Sequence, residues 1–117
     1  MNLQKELIKA CVNGDLQAVK FLARIGVDIH ADDNVALCYA SENAHTEVLK
    51  LLLEHGANVH VGENYALRWA SRNGHTQVVK LLLEHGANVH ARDNQALSWA
   101  SKHGQIEVVK VLKEWMK

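Results

Sequence analysis

Apolar residues recur at helical spacing in pairs of short segments along this chain. Residues 64–73 place small and apolar side chains on one helical face, and residues 75–85 place valines and leucines on another. Between them lies Gly74, which can adopt the left-handed conformation that ends a helix. Asn64 is predicted as the N-cap of the first helix, because its side-chain oxygen can accept a hydrogen bond from a free amide. Each block of this kind predicts two helices joined by a turn.

The whole pattern repeats along the chain. Asn34, Asn64 and Asn94 begin equivalent blocks, and the segment Leu51–His60 recurs unchanged at Leu81–His90. A repeat of this length indicates a stacked array rather than a closed globule. We therefore expect one all-α domain over residues 1–117, with repeats at approximately 1–33, 34–63, 64–93 and 94–117. The predicted helices are 3–13, 15–25, 34–43, 45–55, 64–73, 75–85, 94–103 and 105–116.

The first and last blocks differ from the inner two in ways that predict caps. Charged residues at the start stand where the second block has apolar or small ones: Lys5, Glu6 and Lys9. Near the end, Lys113 replaces the leucine found at positions 53 and 83. Terminal repeats need polar outer faces, so the array is expected to be complete. Trp115 and Met116 remain apolar, and they either fold back on the last helix or form a contact with another molecule.

Composition narrows the classes of function. Thirteen basic and thirteen acidic residues cancel, which argues against a nucleic-acid binder or a protein held on an anionic membrane. No apolar run reaches the ~20 residues of a membrane span, and the N-terminus lacks the pattern of a secretory signal. Cys11 and Cys38 occupy non-equivalent repeat positions and are predicted to be small core residues without a disulfide. An intracellular, cytoplasmic location is therefore expected.

Two segments carry a family resemblance: Asn73–Val89 (NGHTQVVKLLLEHGANV) and Ala44–Val59 (AHTEVLKLLLEHGANV). Both resemble the second helix and exit turn of ankyrin repeats. Ankyrin repeats typically have about 33 residues and a T-P-L-H-x-A motif, whereas this chain has VALCYA, YALRWA and QALSWA, and no proline. Three residues are missing before each first helix, where the family builds a β-hairpin finger. A blunt turn such as Ala31-Asp32-Asp33 is predicted instead.

The short repeat is also similar to repeats in proteins of giant DNA viruses. The near-identity of the second and third repeats fits either recent duplication or a consensus-based design. The resemblance implies an ankyrin-type solenoid of stacked helix-turn-helix repeats with shortened turns.

The resemblance also implies a protein-binding module that presents a rigid concave surface. Its partner is a protein that the sequence does not identify. On the first helices, spacings of four, seven and eight residues put side chains on one face. The predicted contact residues are Tyr39, Glu42, Tyr65, Arg68, Trp69, Arg72, Trp99 and Lys102. Aromatic residues and arginine dominate the energy of many interfaces.

The aromatic residues of the first helices have two interpretations, which the sequence leaves open. Tyr39, Trp69 and Trp99 are in register and predict a row with a step of roughly 10 Å, the usual distance between packed helices. An exposed row indicates a partner, because monomers rarely expose such a patch. Alternatively, each ring covers the shortened turn of its own repeat or the next. A tryptophan can also do both, packing one face and exposing the other.

Eight histidines raise the alternative of a metal site. Most recur with the repeat, so members of one column lie roughly 10 Å apart, too far to share an ion that binds nitrogen at about 2 Å. No complete set of four ligands is recognisable, so neither a metal nor a cofactor is expected. His45 and His75 are predicted to be structural, and His30, His60 and His90 to lie where a side chain can bond across to a neighbouring repeat.

Catalysis finds little support in the sequence. Ser41, Ser71 and Ser101 align with small packed positions, and the common catalytic motifs are absent. The chain is therefore not expected to be an enzyme. Two rival interpretations stay open: a self-associating or purely structural repeat protein, and a metal-dependent enzyme or metal binder. A monomer is expected, with weak self-association through Trp115 and Met116 as the possible exception.

Overall fold

The computed structural model describes residues 2–117, which form consecutive pairs of α-helices. The helices are α1 (Leu3–Asn13), α2 (Leu16–Arg24), α3 (Ala31–Glu42), α4 (Thr46–Glu54), α5 (Val61–Arg72), α6 (Thr76–Glu84), α7 (Ala91–Lys102) and α8 (Ile106–Trp115). No strand occurs between residues 2 and 117, which confirms the all-α prediction. The molecule measures 44 × 20 × 18 Å, the elongated shape of a stack.

The helices form two layers. The first helix of each pair, α1, α3, α5 and α7, packs against the first helix of the next, and together they make the first-helix layer. The second helices, α2, α4, α6 and α8, form the second-helix layer and contact one another less extensively. Ala40, Ala70 and Ala100 are fully buried in the first-helix layer. Their methyl groups allow neighbouring helices to approach closely.

One continuous apolar core lies between the layers and runs the length of the stack. Leu52, Leu82 and Leu112 are fully buried at equivalent positions of successive second helices. Burying a leucine side chain contributes about 1.5–3 kcal/mol to stability. Lys113 is exposed, whereas Leu53 and Leu83 at the equivalent positions are buried. The α-helical spacing of the leucines thus produces both the helices and their stacking.

A left-handed turn opens each of α3, α5 and α7. Asp32, Asp33 and Asn34 have φ values of 54, 56 and 60°, so the right-handed part of α3 begins at Val35. Gly62-Glu63-Asn64 and Arg92-Asp93-Asn94 have the same conformation. Asparagine and aspartate tolerate this region better than most residues. The turn is blunt and contains no strand, as the three missing residues predicted.

The prediction that Asn64 is an N-cap is wrong. Its side-chain oxygen accepts a hydrogen bond from the backbone amide of Asn88, in the exit turn of the same repeat, at 2.8 Å. Asn34 accepts from the amide of Asn58 in the same way, at 3.2 Å. The reason is the left-handed backbone, with φ near 61° at Asn64, which places this residue before the right-handed helix. Asn34 and Asn64 therefore join the start of a repeat to the exit turn of the same repeat rather than capping helices.

A second set of hydrogen bonds links each second helix to the preceding repeat. Nε2 of His45 lies 2.8 Å from the carbonyl oxygen of Val12, and Nε2 of His75 lies 2.9 Å from that of Glu42. Since a carbonyl oxygen can only accept, Nε2 carries the hydrogen in both rings. Gln105 occupies the next equivalent position and donates to the carbonyl of Arg72 at 3.0 Å. The structural role predicted for these histidines is thus an inter-repeat bond.

We expect His75→Ala to lower the free energy of unfolding by about 1–2 kcal/mol, because the half-buried Glu42 carbonyl would lose its donor. His75→Gln should cost less than about 0.5 kcal/mol, since Gln105 already makes the equivalent bond. Urea denaturation followed by circular dichroism measures both changes. Equal losses in the two variants would show that imidazole packing, and not the hydrogen bond, stabilises this junction.

The remaining histidine and cysteine predictions have mixed outcomes. Nε2 of His30 lies 2.6 Å from the carbonyl of His55 in the next repeat, whereas Nδ1 of His90 contacts Asn94 within its own turn, at 2.7 Å. In the described part of the chain, the predicted cross-repeat bond therefore forms at His30 but at neither His60 nor His90. Both cysteines are free. Cys11 is buried as predicted, but Cys38 is only half-buried and lies at the surface of the first-helix layer.

The apolar residues near the C-terminus separate in the structure. Met116 packs against the core, whereas Trp115 is 47% exposed. Across residues 2–117, no helix combines the length and apolar character required to cross a membrane.

Candidate functional site

The residues predicted to contact a partner lie on one side of the first-helix layer, on α3, α5 and α7. Three rings form an aromatic cluster made of Tyr65, Trp69 and Trp99. The ring centroids of Trp69 and Trp99 are 5.2 Å apart at an interplanar angle of 66°, and those of Tyr65 and Trp69 are 5.9 Å apart. Tilted and edge-to-face pairs of this kind contribute about 0.5–1.5 kcal/mol beyond area burial.

The predicted spacing of the aromatic row is therefore wrong between Trp69 and Trp99. Trp69 and Trp99 lie much closer than the helix-packing distance, because their side chains lean toward each other across α5 and α7. Tyr39 instead lines a cleft between α3 and α5. All three rings of the aromatic cluster are half-buried. Each ring thus packs one face on its neighbours and leaves part of its surface accessible.

Two arginines of α5 extend the aromatic cluster. Cζ of Arg72 lies 5.0 Å from the centroid of the Trp69 ring, close enough for a cation–π interaction. Arg72 is half-buried, so part of its guanidinium faces solvent. Lys102 is exposed on the last turn of α7. This part of the surface therefore combines aromatic faces with positive charge.

Arg68 is only 6% exposed, and its guanidinium is held within the chain. It donates to the backbone carbonyls of Gly62 and Glu63, at 2.8 and 3.1 Å, and to Oε1 of Gln95 at 2.6 Å. Its Cζ also lies 5.9 Å from the centroid of Tyr65 and 5.8 Å from that of Trp99. Arg68 therefore joins the left-handed turn to the aromatic cluster.

The environment of Arg68 lowers its pKa, chiefly because burial penalises the charged form and also because the positive charge of Arg92 is near. The structure shows no carboxylate paired with it between residues 2 and 117; Glu63 pairs with Arg92 instead, at 3.8 Å. An arginine is usually charged even when buried, so the carbonyl oxygens provide its electrostatic compensation. This role was not predicted from the sequence, although the sequence shows that the equivalent residues of successive repeats differ: Cys38, Arg68 and Ser98.

A cleft of 690 Å³ lies between α3 and α5, beside the aromatic cluster. We call it the α3–α5 cleft. It brings together Tyr39, Glu42 and Tyr65 of the predicted contacts, and it also includes Cys38, which sequence reasoning assigned to the core. The lining residues are Asp32, Asp33, Val35, Cys38, Tyr39, Glu42, Val61, Gly62 and Tyr65. Its walls are aromatic and aliphatic, with carboxylates among them.

The cleft has a negative electrostatic character. The pKa of the Cys38 thiol is raised to about 11, first by burial and then by the negative charge of Glu42. The pKa of Tyr65 is raised by the same two effects, in the same order. Both groups are harder to deprotonate, chiefly because burial disfavours the charged form and in addition because Glu42 contributes negative charge. The surface therefore changes from acidic at α3 to basic at α5 and α7.

The remaining candidates from the sequence are a metal site and the recurring serines. Within residues 2–117, no three histidine, cysteine or acidic side chains converge in a way that could hold a metal ion. Ser41 and Ser71 are fully buried, and their hydroxyl groups lack a hydrogen-bond partner in the described part of the chain. Ser101 is exposed. The two inner serines are thus packed as small core residues.

Stacked helix pairs with one accessible face on the first helices define a solenoid of the helical repeat class. The comparison with protein families makes the assignment specific. Residues 4–63 and 59–116 match the family model described as ankyrin repeats (3 copies). The chain belongs to the ankyrin repeat family. Members of this family are generally protein–protein interaction modules and are typically not enzymes.

Proposed function

We propose that this chain binds a protein partner through the concave face of the first-helix layer. The observation that carries the proposal is the aromatic cluster with Arg72 beside it. Three rings and a cation are held together at distances of 5.0–5.9 Å, yet all remain partly accessible. Tryptophan, tyrosine and arginine are the residues that most often dominate binding energies at interfaces.

The proposed mechanism is rigid presentation of these side chains. The rings are fixed by one another and by Arg68, so little side-chain entropy is lost when a partner binds. Arg68 is buried, and its proposed contribution to binding is to hold Tyr65 and Trp99 in place. The proposed contact surface extends from the acidic α3–α5 cleft to Lys102. Its members are Tyr39, Glu42, Tyr65, Arg68, Trp69, Arg72, Trp99 and Lys102.

Affinity capture from a lysate of the source cells tests the proposal. The Trp69→Ala/Arg72→Ala double variant should recover less than about one-tenth of the partner bound by the wild-type chain, because each truncated hot spot costs about 1–2 kcal/mol or more. A matched control is Lys50→Ala/Lys80→Ala, which removes two exposed side chains from the second-helix layer. Unchanged recovery by a folded Trp69→Ala/Arg72→Ala variant would contradict the proposal.

Self-association is a second candidate, favoured by exposed apolar side chains on the second-helix layer. Trp115 lies on the last helix, while Phe21 on α2 and Ile25 just after it are about half-exposed in the first pair. A contact between these two ends would join copies head to tail. Sedimentation equilibrium distinguishes the candidates, since a monomer over a wide concentration range removes this one.

We also propose that the chain is not an enzyme and that it works in the cytoplasm. The support for this location is the presence of two free thiols, which are typical of reducing compartments.

A further inference from the structure

The α3–α5 cleft and the groove between α5 and α7 are equivalent places in the stack, but their contents differ. Between α5 and α7, the side chain of Arg68 fills the groove. Between α3 and α5, the equivalent residue is Cys38, whose short side chain leaves a cleft of 690 Å³. This volume lies within the range of about 300–1,000 Å³ found for ligand pockets. Arg68 therefore shows that a guanidinium group suits an environment of this kind.

The partners of Arg68 have counterparts one repeat earlier. Its guanidinium donates to the carbonyls of Gly62 and Glu63, which lie in the left-handed turn of α5. The carbonyls of Asp32 and Asp33 belong to the equivalent turn of α3, which has the same backbone conformation. Left-handed turns of the same shape direct their carbonyls in the same way relative to the following helix.

One of the two aromatic partners of Arg68, Trp99, has an aromatic counterpart, whereas the counterpart of Tyr65 is Val35. The guanidinium lies against the ring of Trp99 from the following repeat. The residue equivalent to Trp99 is Trp69, and the residue equivalent to Gln95, which accepts from Arg68, is Tyr65 on the wall of the α3–α5 cleft. Trp69 is not among the lining residues, but Tyr65 provides both an aromatic ring and a hydroxyl acceptor in the α3–α5 cleft.

The charge of the α3–α5 cleft is more favourable to a cation than that of the filled groove. Asp32, Asp33 and Glu42 line the cleft, and no ion pair joins any of them to a lysine, arginine or histidine of residues 2–117. At the filled groove, Glu63 instead lies 3.8 Å from Arg92. The cleft thus has an apolar and aromatic interior with unneutralised carboxylates, the combination that attracts a guanidinium.

We propose that the α3–α5 cleft binds the side chain of an arginine from the protein partner, in the manner in which Arg68 fills the groove of the next repeat. The inference rests on the proposed protein-binding function and specifies the chemistry of its partner. Arginine fits better than lysine because its planar guanidinium can stack on a ring and donate several hydrogen bonds in fixed directions. The partner therefore carries an arginine that projects from the segment lying across α3 and α5.

The first experiment uses the wild-type chain and a short blocked peptide with one arginine between serine and glycine residues. The same peptide with citrulline, a neutral isostere of arginine, and the same peptide with lysine are the controls. Nuclear magnetic resonance titrations should show saturable shifts at the amides of Cys38, Gly62 and Tyr65. We expect the citrulline peptide to bind about tenfold more weakly, from the lost charge and cation–π attraction.

The second experiment replaces Cys38 by the residues found at the equivalent positions of the next two repeats. Cys38→Arg places an arginine where the next repeat has Arg68, and Cys38→Ser places the residue that the last repeat has at Ser98. We expect Cys38→Arg to abolish the shifts caused by the arginine peptide and Cys38→Ser to retain them. Glu42→Gln should weaken binding several-fold without blocking the cleft. If Cys38→Arg does not fold, Glu42→Gln and the citrulline comparison still decide the outcome.

Several results would overturn the inference. Equal binding of arginine and citrulline peptides, or unchanged binding by a folded Cys38→Arg variant, would exclude a guanidinium site in the cleft. Equal or tighter binding of the lysine peptide would exclude arginine as the preferred cation. Shifts at the same amides that grow with protein concentration in the absence of peptide would indicate that a second copy of the chain occupies the cleft.

The two proposals fail in different ways. If the arginine peptide does not bind, but partner capture still depends on Trp69 and Arg72, only the arginine assignment is wrong. If the peptide binds in the cleft while capture by Trp69→Ala/Arg72→Ala is unchanged, the proposed contact surface at the aromatic cluster is wrong.

Discussion

Leu82→Ala should lower the free energy of unfolding by about 3 kcal/mol, within the usual range of about 2–5 kcal/mol for a buried leucine. Leu82 is 0% exposed and lies in α6, which packs against α4, α5 and α8. Truncation removes apolar contacts and leaves a cavity that the rigid helix pairs cannot fully close. In a stack, stability depends on interfaces between neighbours, so damage to an inner pair weakens the repeats on both sides.

Urea denaturation followed by circular dichroism measures this loss, and the melting temperature should fall by roughly 10 °C. The matched control is Leu81→Ala, which deletes the same atoms from a half-buried position on the same helix. We expect that control to cost on the order of 1 kcal/mol, because less apolar area leaves contact. Equal losses at the two positions would mean that burial between the layers does not determine the stability of the stack.

Arg68→Ala should lower the free energy of unfolding by about 2–3 kcal/mol, an unusually large effect for an arginine. The carbonyls of Gly62 and Glu63 and the side chain of Gln95 would lose their donor. The rings of Tyr65 and Trp99 would also lose a packing partner. Near-ultraviolet circular dichroism should change as well, because the aromatic cluster loses its fixed arrangement.

Arg92→Ala is the control for Arg68→Ala. Arg92 has the same charge and lies one repeat later in the next left-handed turn, but it is exposed and pairs with Glu63 only at 3.8 Å. An exposed pair of this kind contributes little, so the expected change is within about 0.5 kcal/mol. A similarly small effect of Arg68→Ala would show that its hydrogen bonds do not hold the turn of α5.

The fold was largely predictable from local features of the sequence. The spacing of Val78, Val79 and Leu82 describes one face of a single helix, and Gly74 marks the end of the helix before it. These features act within a few residues, so a sequence pattern can reveal them. The helix limits differed because Asn64 precedes the right-handed helix in a left-handed turn. Its bond to Asn88 joins residues 24 positions apart, and helical spacing does not reveal it.

The candidate site was predictable only in part. The repeat register placed Tyr65, Trp69 and Trp99 on one side of the first helices, and the structure brings these rings together. The register gave no indication that Arg68 points inward to the carbonyls of its own turn. Nor did it indicate that Cys38 leaves a cleft at the equivalent place. Such differences depend on the length and direction of side chains from two neighbouring repeats.

The amino-acid sequence by itself determined the all-α repeat, the helix pairs and their stacking, because helical periodicity and the position of glycine are local properties. Tertiary structure alone decided the left-handed turns, the burial of Arg68, the contact between Trp69 and Trp99 and the acidic α3–α5 cleft. The physical reason is that each of these features forms between residues of adjacent turns and repeats, where the available space and the free hydrogen-bonding groups exist only after the helices have packed.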